Sequence, residues 1–179
     1  TIADAHGEQL AVFTFHPQIQ ALRNPEFRYL LTMEQKNLKF EQLQVQYIET
    51  IPFDETVAHL SPDEFVQKIL LGHMRARHVV VGFNYTFGHN GAGNSELLTV
   101  LCAQYGIHVT VMQPCYIENE IVSSSAIRQY LQQGNIEKAN ELLGYVFTLR
   151  GEVVYGNQIG RTIGFPTANI PVPAQQMLP

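Results

Sequence analysis

The sequence predicts an α/β protein built on a parallel sheet with helices on both faces. Three observations carry this. Short apolar runs alternate with helix-like segments through the first 144 residues, the order that parallel strands with crossover helices require. The Val79-Val80-Val81 run suits a strand buried on both faces. Capping and stop signals separate the segments.

The elements follow in order. Residues 1–5 read as a helix end stopped by Gly7; with no start signal before them, they read as the tail of a longer chain. Residues 10–15 form a strand broken at Pro17. His16 and Pro17 lie just past it, where open α/β sheets gather ligands, or simply where a loop leaves the strand. Residues 33–43 are helical, with Thr32 as N-cap, and 45–51 form a strand. Ser61-Pro62-Asp63-Glu64 opens a helix through a capping serine, a first-turn proline and a glutamate three residues on. Phe65, Val66, Ile69 and Leu70 make its inner face. His73, Arg75, Arg77 and His78 then read as complement to the helix dipole and solvated surface.

Residues 78–83 form the next strand, leading into Gly82-Phe83-Asn84-Tyr85-Thr86-Phe87-Gly88. Asn84 can donate and accept, which suits the edge of a heterocycle. Phe83, Tyr85 and Phe87 alternate, and each either offers a ring face or belongs to the core. Gly91 and Gly93 suggest a loop, spaced too loosely for a dinucleotide fingerprint. A helix over 95–105 stops at Gly106, and 107–112 form a further strand.

Val122-Ser123-Ser124-Ser125-Ala126-Ile127-Arg128 organises the rest. Serines at a helix mouth cap free N–H groups, and the same groups can hold an anion. Arg128 shares the face of Ser124 and Ser125. A cation in a first turn opposes the helix dipole, and makes sense where an anion occupies that end; the alternative is a cap beside a surface arginine. The helix over 126–133 ends at Gly134, and Asn135 caps another over 136–143, ended by Gly144.

Beyond Gly144 the pattern changes. Residues 145–155 have strand composition, and Gly156, Gly160 and Gly164 follow at four-residue intervals. Glycines there let a loop wrap phosphate closely. Thr167 and Asn169 point the same way from an extended segment and offer hard oxygens suited to magnesium. The alternative is a tight loop in a β-domain.

Composition narrows the classes. The chain of 179 residues carries 11 basic and 16 acidic side chains, a net charge of −5, which argues against a general nucleic-acid binder. No apolar run approaches the roughly 18–20 residues of a membrane span, and no secretory signal opens the sequence. Cys102 and Cys115 have neither metal-pair spacing nor a disulfide framework, so a reducing cytoplasm is the expected location.

Two motifs together resemble the bacterial bifunctional riboflavin kinase/FMN adenylyltransferase family, also called FAD synthetase. The 122–128 stretch is similar to that family's Ser-Ser-Thr-x-Ile-Arg signature, with Ser125 in the threonine's place. Residues 156–170, with Gly164-Phe165-Pro166-Thr167-Ala168-Asn169-Ile170, resemble its kinase loop. Thr14-Phe15-His16-Pro17 and the 82–88 segment resemble its flavin-side segments. The family's His-x-Gly-His segment and later kinase strands, with their acidic catalytic residue, have no counterpart. The resemblance therefore implies an internal portion of a longer enzyme: a Rossmann-like nucleotidyltransferase domain over 1–144, then the start of a β-barrel kinase domain over 145–179.

It implies two reactions, riboflavin plus ATP to FMN and FMN plus ATP to FAD. Ser124, Ser125 and Arg128 would be catalytic. Ser123, Gly156, Gly160, Gly164 and Thr167 would join those three around ATP. Phe15, Pro17, Asn84, Tyr85 and Thr86 would line the flavin, and Thr167 and Asn169 would serve Mg2+. The implied partners are small molecules, with neither nucleic acid nor membrane. Two other classes share these features: a non-catalytic flavin- or nucleotide-binding regulator, and a nucleotidyltransferase with another acceptor.

Overall fold

A computed structural model describes residues 1–16, 18–156, 164–165 and 167–179. Pro17, Gly160 and Pro166 therefore lie outside the described residues. The chain forms two compact units. The first comprises Thr1–Arg23 and Tyr47–Tyr116; the second comprises Asn24–Gln46 and Ile117–Pro179.

The first unit opens with α1 (Ile2–His6), where Thr1 and Asp4 form a capping box and Gly7 closes the helix in the left-handed conformation at φ 63°. β1 (Ala11–His16) pairs in parallel with β2 (Tyr47–Pro52), Ala11 opposite Tyr47. Between them in the chain lie α2 (Ile19–Arg23) and α3 (Met33–Gln42). After α4 (Glu55–Ala58), the Ser61 box opens α5 (Pro62–Glu64) as the sequence predicts, Ser61 Oγ accepting from the Glu64 N–H. Hydrogen bonds from Lys68 and Ser61 push the Glu64 carboxyl down to about 2. The winding then loosens to π-helical over Phe65–His73.

β3 (His78–Gly82) pairs in parallel with β6 (His108–Met112), Val81 opposite Val111. The expected parallel pairing is therefore present as two separate two-stranded ladders, β1–β2 and β3–β6. Val79 and Val81 turn to the core, while Val80 is half exposed, so this run is covered on one face only. A short antiparallel pair, β4 (Thr86–Phe87) with β5 (Gly93–Asn94), leads into α6 (Ser95–Gln104), capped by Asn94. The core gathers Phe65, Val66, Leu70, Phe87, Leu98, Cys102 and Ile107. Gly93 is needed there, because a Cβ would lie 2.5 Å from the Phe87 ring.

The hairpin β7 (Tyr116–Ile117) with β8 (Glu120–Ile121) leads the chain into α7 (Ser124–Gln132) and α8 (Ile136–Leu143) of the second unit. α3 belongs to this unit, with Thr32 as its cap. Ile127, Leu131, Ala139, Leu142 and Met177 form its core. Lys138 links α8 to the turn before β8 through Glu118 and also pairs with Glu141 on its own helix, each at 2.9 Å; those bonds raise the Lys138 ammonium well above the ordinary lysine range. The strand composition of residues 145–155 yields little regular pairing: among the described residues, only Val154 bridges, antiparallel to Asn169. Among the described residues, no helix is long and apolar enough to cross a membrane.

Leu98 is fully buried, whereas Val100 on the same helix is 59% exposed. Leu98→Ala should lower stability by about 2–5 kcal/mol, and Val100→Ala by less than about 0.5 kcal/mol. Urea unfolding midpoints at unchanged slope check both.

Candidate functional site

The serine-arginine turn sits in the second unit. Ser123 is extended at φ −147°, ψ 150°, and its Oγ accepts from the Ala126 N–H at 3.2 Å. That bond starts α7 two residues earlier than the sequence reading, with Ser124 and Ser125 as its first turn and both side chains exposed. Among the described residues, neither hydroxyl has a hydrogen-bond partner. Arg128 is held from three sides. Its Nε donates to the Arg28 carbonyl at 2.8 Å, its Nη1 donates to the Ser124 carbonyl at 3.1 Å, and its guanidinium carbon lies 4.4 Å from the Phe27 ring centroid. Burial lowers its pKa from the ordinary arginine value, yet a guanidinium remains cationic at neutral pH. Among the described residues, three of its five N–H groups have no partner.

Phe27 and Arg28 are the residues missed by sequence reasoning. Arg28 lies 100 positions from Arg128 in the chain, with Phe27 just before it, and only the Asn24-Pro25 turn ahead of them is visible locally. Asn24 Oδ1 accepts from the Glu26 N–H there, and the Arg28 guanidinium donates to the Pro25 and Phe27 carbonyls. A cavity of about 270 Å³ in the same unit is lined by Arg28, Gln132, Val172, Gln176, Met177 and neighbours; Ser124, Ser125 and Arg128 are not among its walls.

The expected flavin-side residues lie in the first unit. Phe15 packs edge-on against Phe13 at 5.1 Å and Phe53 at 5.2 Å, so its ring serves the core. Asn84 is exposed in the turn after β3, closed by the Tyr85 N–H donating to the Gly82 carbonyl. Thr86 is exposed on β4. Tyr85 stacks on buried Phe87 at 5.8 Å and 13°, and burial pushes its phenol up to about 12. Phe83 is the ring of the alternating three left largely open, at 44% exposure.

The glycine segment belongs to the second unit. The Val154 N–H donates to the Asn169 carbonyl at 2.8 Å. Gly164 has φ 81°, a left-handed conformation that favours glycine. Gly156 does not; a Cβ there would meet the Asn169 carboxamide, with Cγ at 2.9 Å and Oδ1 at 3.2 Å. Thr167 and Asn169 are both exposed. Each offers a neutral side-chain oxygen, a hard donor type, whereas magnesium sites more commonly use one or two carboxylates with water and substrate phosphates. Among the described residues, no cluster of three His, Cys, Asp or Glu could hold a metal.

The chain is an α/β protein with a capped helix mouth beside a held guanidinium, followed by a glycine-flanked segment. Comparison with known proteins supplies the family. The FAD synthetase model matches residues 1–126, and the riboflavin kinase model matches residues 143–179. The chain belongs to the FAD synthetase family. Bifunctional riboflavin kinase/FMN adenylyltransferases are similar to it: that of Listeria monocytogenes is 37% identical over 99% of this chain and 57% of its own length, and that of Bacillus subtilis 38% over 94% and 54%. That of Escherichia coli is 34% identical over 92% and 53%. The chain thus spans about half the length of these relatives. A crystal structure titled a macrolide-efflux protein, from Streptococcus pneumoniae, superposes with a TM-score of 0.88 at 30% identity, covering 99% of this chain and 58% of that one.

Tyr85 gives a pH prediction. Burial raises its phenol above the ordinary tyrosine value of 10.0 to about 12, so the folded state holds a proton that the unfolded state releases between those values. Stability contributed by Tyr85 is complete below about pH 10 and is lost as pH rises toward 12. Tyr85→Phe should flatten that decline, measured by urea unfolding across the interval.

Proposed function

We propose that the whole protein makes FAD in two ATP-dependent steps: phosphorylation of riboflavin to FMN, then adenylyl transfer from ATP to FMN. Residues 1–144 belong to the transferase and 145–179 to the opening of the kinase. The observation that carries this reading is Arg128, fixed beside the exposed mouth of α7 with N–H groups to spare. The tandem family matches support it.

In adenylyl transfer, an FMN phosphate oxygen attacks the α-phosphorus of ATP; the new P–O bond forms as the bond to pyrophosphate breaks. The nucleophile is already ionised, so the protein's task is alignment and charge neutralisation. Ser124 and Ser125 hydroxyls, with free N–H groups of α7's first turn, donate to ATP phosphate oxygens. Arg128 neutralises charge as it builds in the transition state. Phe15, Pro17, Asn84, Tyr85 and Thr86 form the flavin side. Phe15 and Tyr85 act there as packed walls, Asn84 and Thr86 as exposed polar contacts, and Phe83 adds an open ring.

In the kinase step, Thr167 and Asn169 would hold Mg2+, which supplies Lewis-acid charge stabilisation to the transferring phosphate when bound. Gly156, Gly160 and Gly164 are the glycines of the segment that would join in binding ATP. The protein works in the cytoplasm on small molecules, without nucleic acid or membrane.

Whole protein incubated with riboflavin, ATP and Mg2+ should yield FMN and then FAD, resolved by chromatography; production of neither overturns the reading. Arg128→Ala should lower FAD formation from FMN by about 10²–10³-fold while leaving riboflavin phosphorylation intact. Phe27→Leu removes the ring under the guanidinium and should lower adenylyl transfer about 2–5-fold, in line with an exposed cation–π contact. Both are read as kcat/KM with FMN.

A further inference from the structure

Three glycines punctuate the kinase-like segment, and the two that are described do different work. Gly164 adopts a left-handed backbone, with no described residue near its missing side chain. Gly156 is the reverse case: its φ lies outside the left-handed region, and the space its side chain would take is filled by Asn169. The atoms of Asn169 nearest a built Cβ are Nδ2, then Cγ at 2.9 Å and Oδ1 at 3.2 Å. Separations under 3.0 Å are ones real Cβ atoms essentially never show. Backbone freedom therefore does not explain the glycine at 156, whereas close approach does.

The two facing segments repeat the arrangement. A Cβ at Gly151 would lie 2.5 Å from Ile170 Cγ2 and 3.0 Å from the Pro171 carbonyl oxygen. Glycines thus flank Val154 on both sides, and each receives the side chain of a residue on the opposite segment. Between them the Val154 N–H donates to the Asn169 carbonyl, which fixes the backbone of Asn169. That bond sets where Asn169 is, and the bare face of Gly156 sets where its carboxamide can lie.

We infer that Gly156 is a positioning residue: by lacking a side chain, it seats the Asn169 carboxamide in the orientation that presents its oxygen to a magnesium-bound nucleotide. The inference rests on the kinase reading of Asn169. It gives Gly156 a task distinct from touching phosphate, since a methyl group at 156 would displace the Asn169 side chain before any ligand arrives. The obstructing atoms belong to a side chain, so the backbone can stay where it is.

A double-mutant cycle in the whole protein tests this, with Mg·ADP affinity measured by calorimetry beside riboflavin phosphorylation. Gly156→Ala should weaken Mg·ADP binding by about 10–100-fold, the usual cost of disturbing a group that orients a metal ligand. In the Asn169→Ala background the same change should have no further effect, because the displaced group is gone. The Asn169 side-chain amide resonance, identified by its loss in Asn169→Ala, should shift in Gly156→Ala without ligand. If Gly156→Ala prevents folding, Asn169→Ala should restore it; failure to restore it overturns the inference. Equal losses from Gly156→Ala in both backgrounds overturn the inference alone. If Asn169→Ala changes neither affinity nor phosphorylation, the kinase reading of Asn169 itself is overturned.

Discussion

A guanidinium half withdrawn from water has to be compensated, and the way Arg128 is compensated ties the second unit together. That unit is discontinuous, joining residues 24–46 to residues 117–179. Its hydrophobic cluster draws mainly on the later segment, with Leu30 packed against it from the earlier one. The join is therefore largely polar. Arg128 reaches the Arg28 carbonyl and the Phe27 ring. Tyr29 exchanges backbone bonds with Gln175 and Met177, donating at 2.7 Å and accepting at 2.8 Å. Gln35, buried at 6% exposure, donates to the Thr148 carbonyl and accepts from Gln176. Losing one partner of such a network leaves buried groups unpaired, which costs more than the bond itself contributes. The group with unspent N–H donors for an anion is thus also one that holds the earlier segment to α7.

The helix mouth and the arginine are complementary in this respect. Arg128 is the fifth residue of α7, just past the first turn, where the helix dipole disfavours a cation only weakly. Here the Ser124 carbonyl accepts from the guanidinium, and the Phe27 ring offers its electron-rich face. These contacts make the position tolerable without bringing in a carboxylate, which would cancel the charge that a phosphate needs. The overall charge of −5 is no obstacle, because phosphate handling depends on the local arrangement.

Local signals were legible in the sequence wherever the determinant lies within a few residues. The caps at Thr32, Ser61 and Asn135 stand where the sequence reading puts them, because a capping hydroxyl or amide meets an N–H two or three residues away; among the three serines before Arg128, the sequence leaves open which one caps, and the structure uses Ser123. Parallel pairing was legible for the same kind of reason, since short apolar strands separated by helices admit few other connections. What the sequence hid depends on distance along the chain. Nothing near Arg128 announces Phe27. Nothing in the 82–88 aromatics separates packed Tyr85 from open Phe83, since alternation assigns faces without saying which is covered. Residues 145–155 carry strand composition, but a strand needs a partner, and only Val154 finds one among the described residues.

The same distinction separates the glycines. Reading Gly156, Gly160 and Gly164 as a single phosphate-wrapping series follows from their spacing, since sequence shows only that side chains are missing. The structure divides at least two of them: one permits a backbone conformation, and the other permits a neighbour's side chain. A regular interval of small residues is therefore weak evidence for a shared role. Its meaning depends on what occupies each vacated volume. At Gly156 that occupant is the carboxamide of Asn169, a group whose chemistry is useful only if its orientation is held.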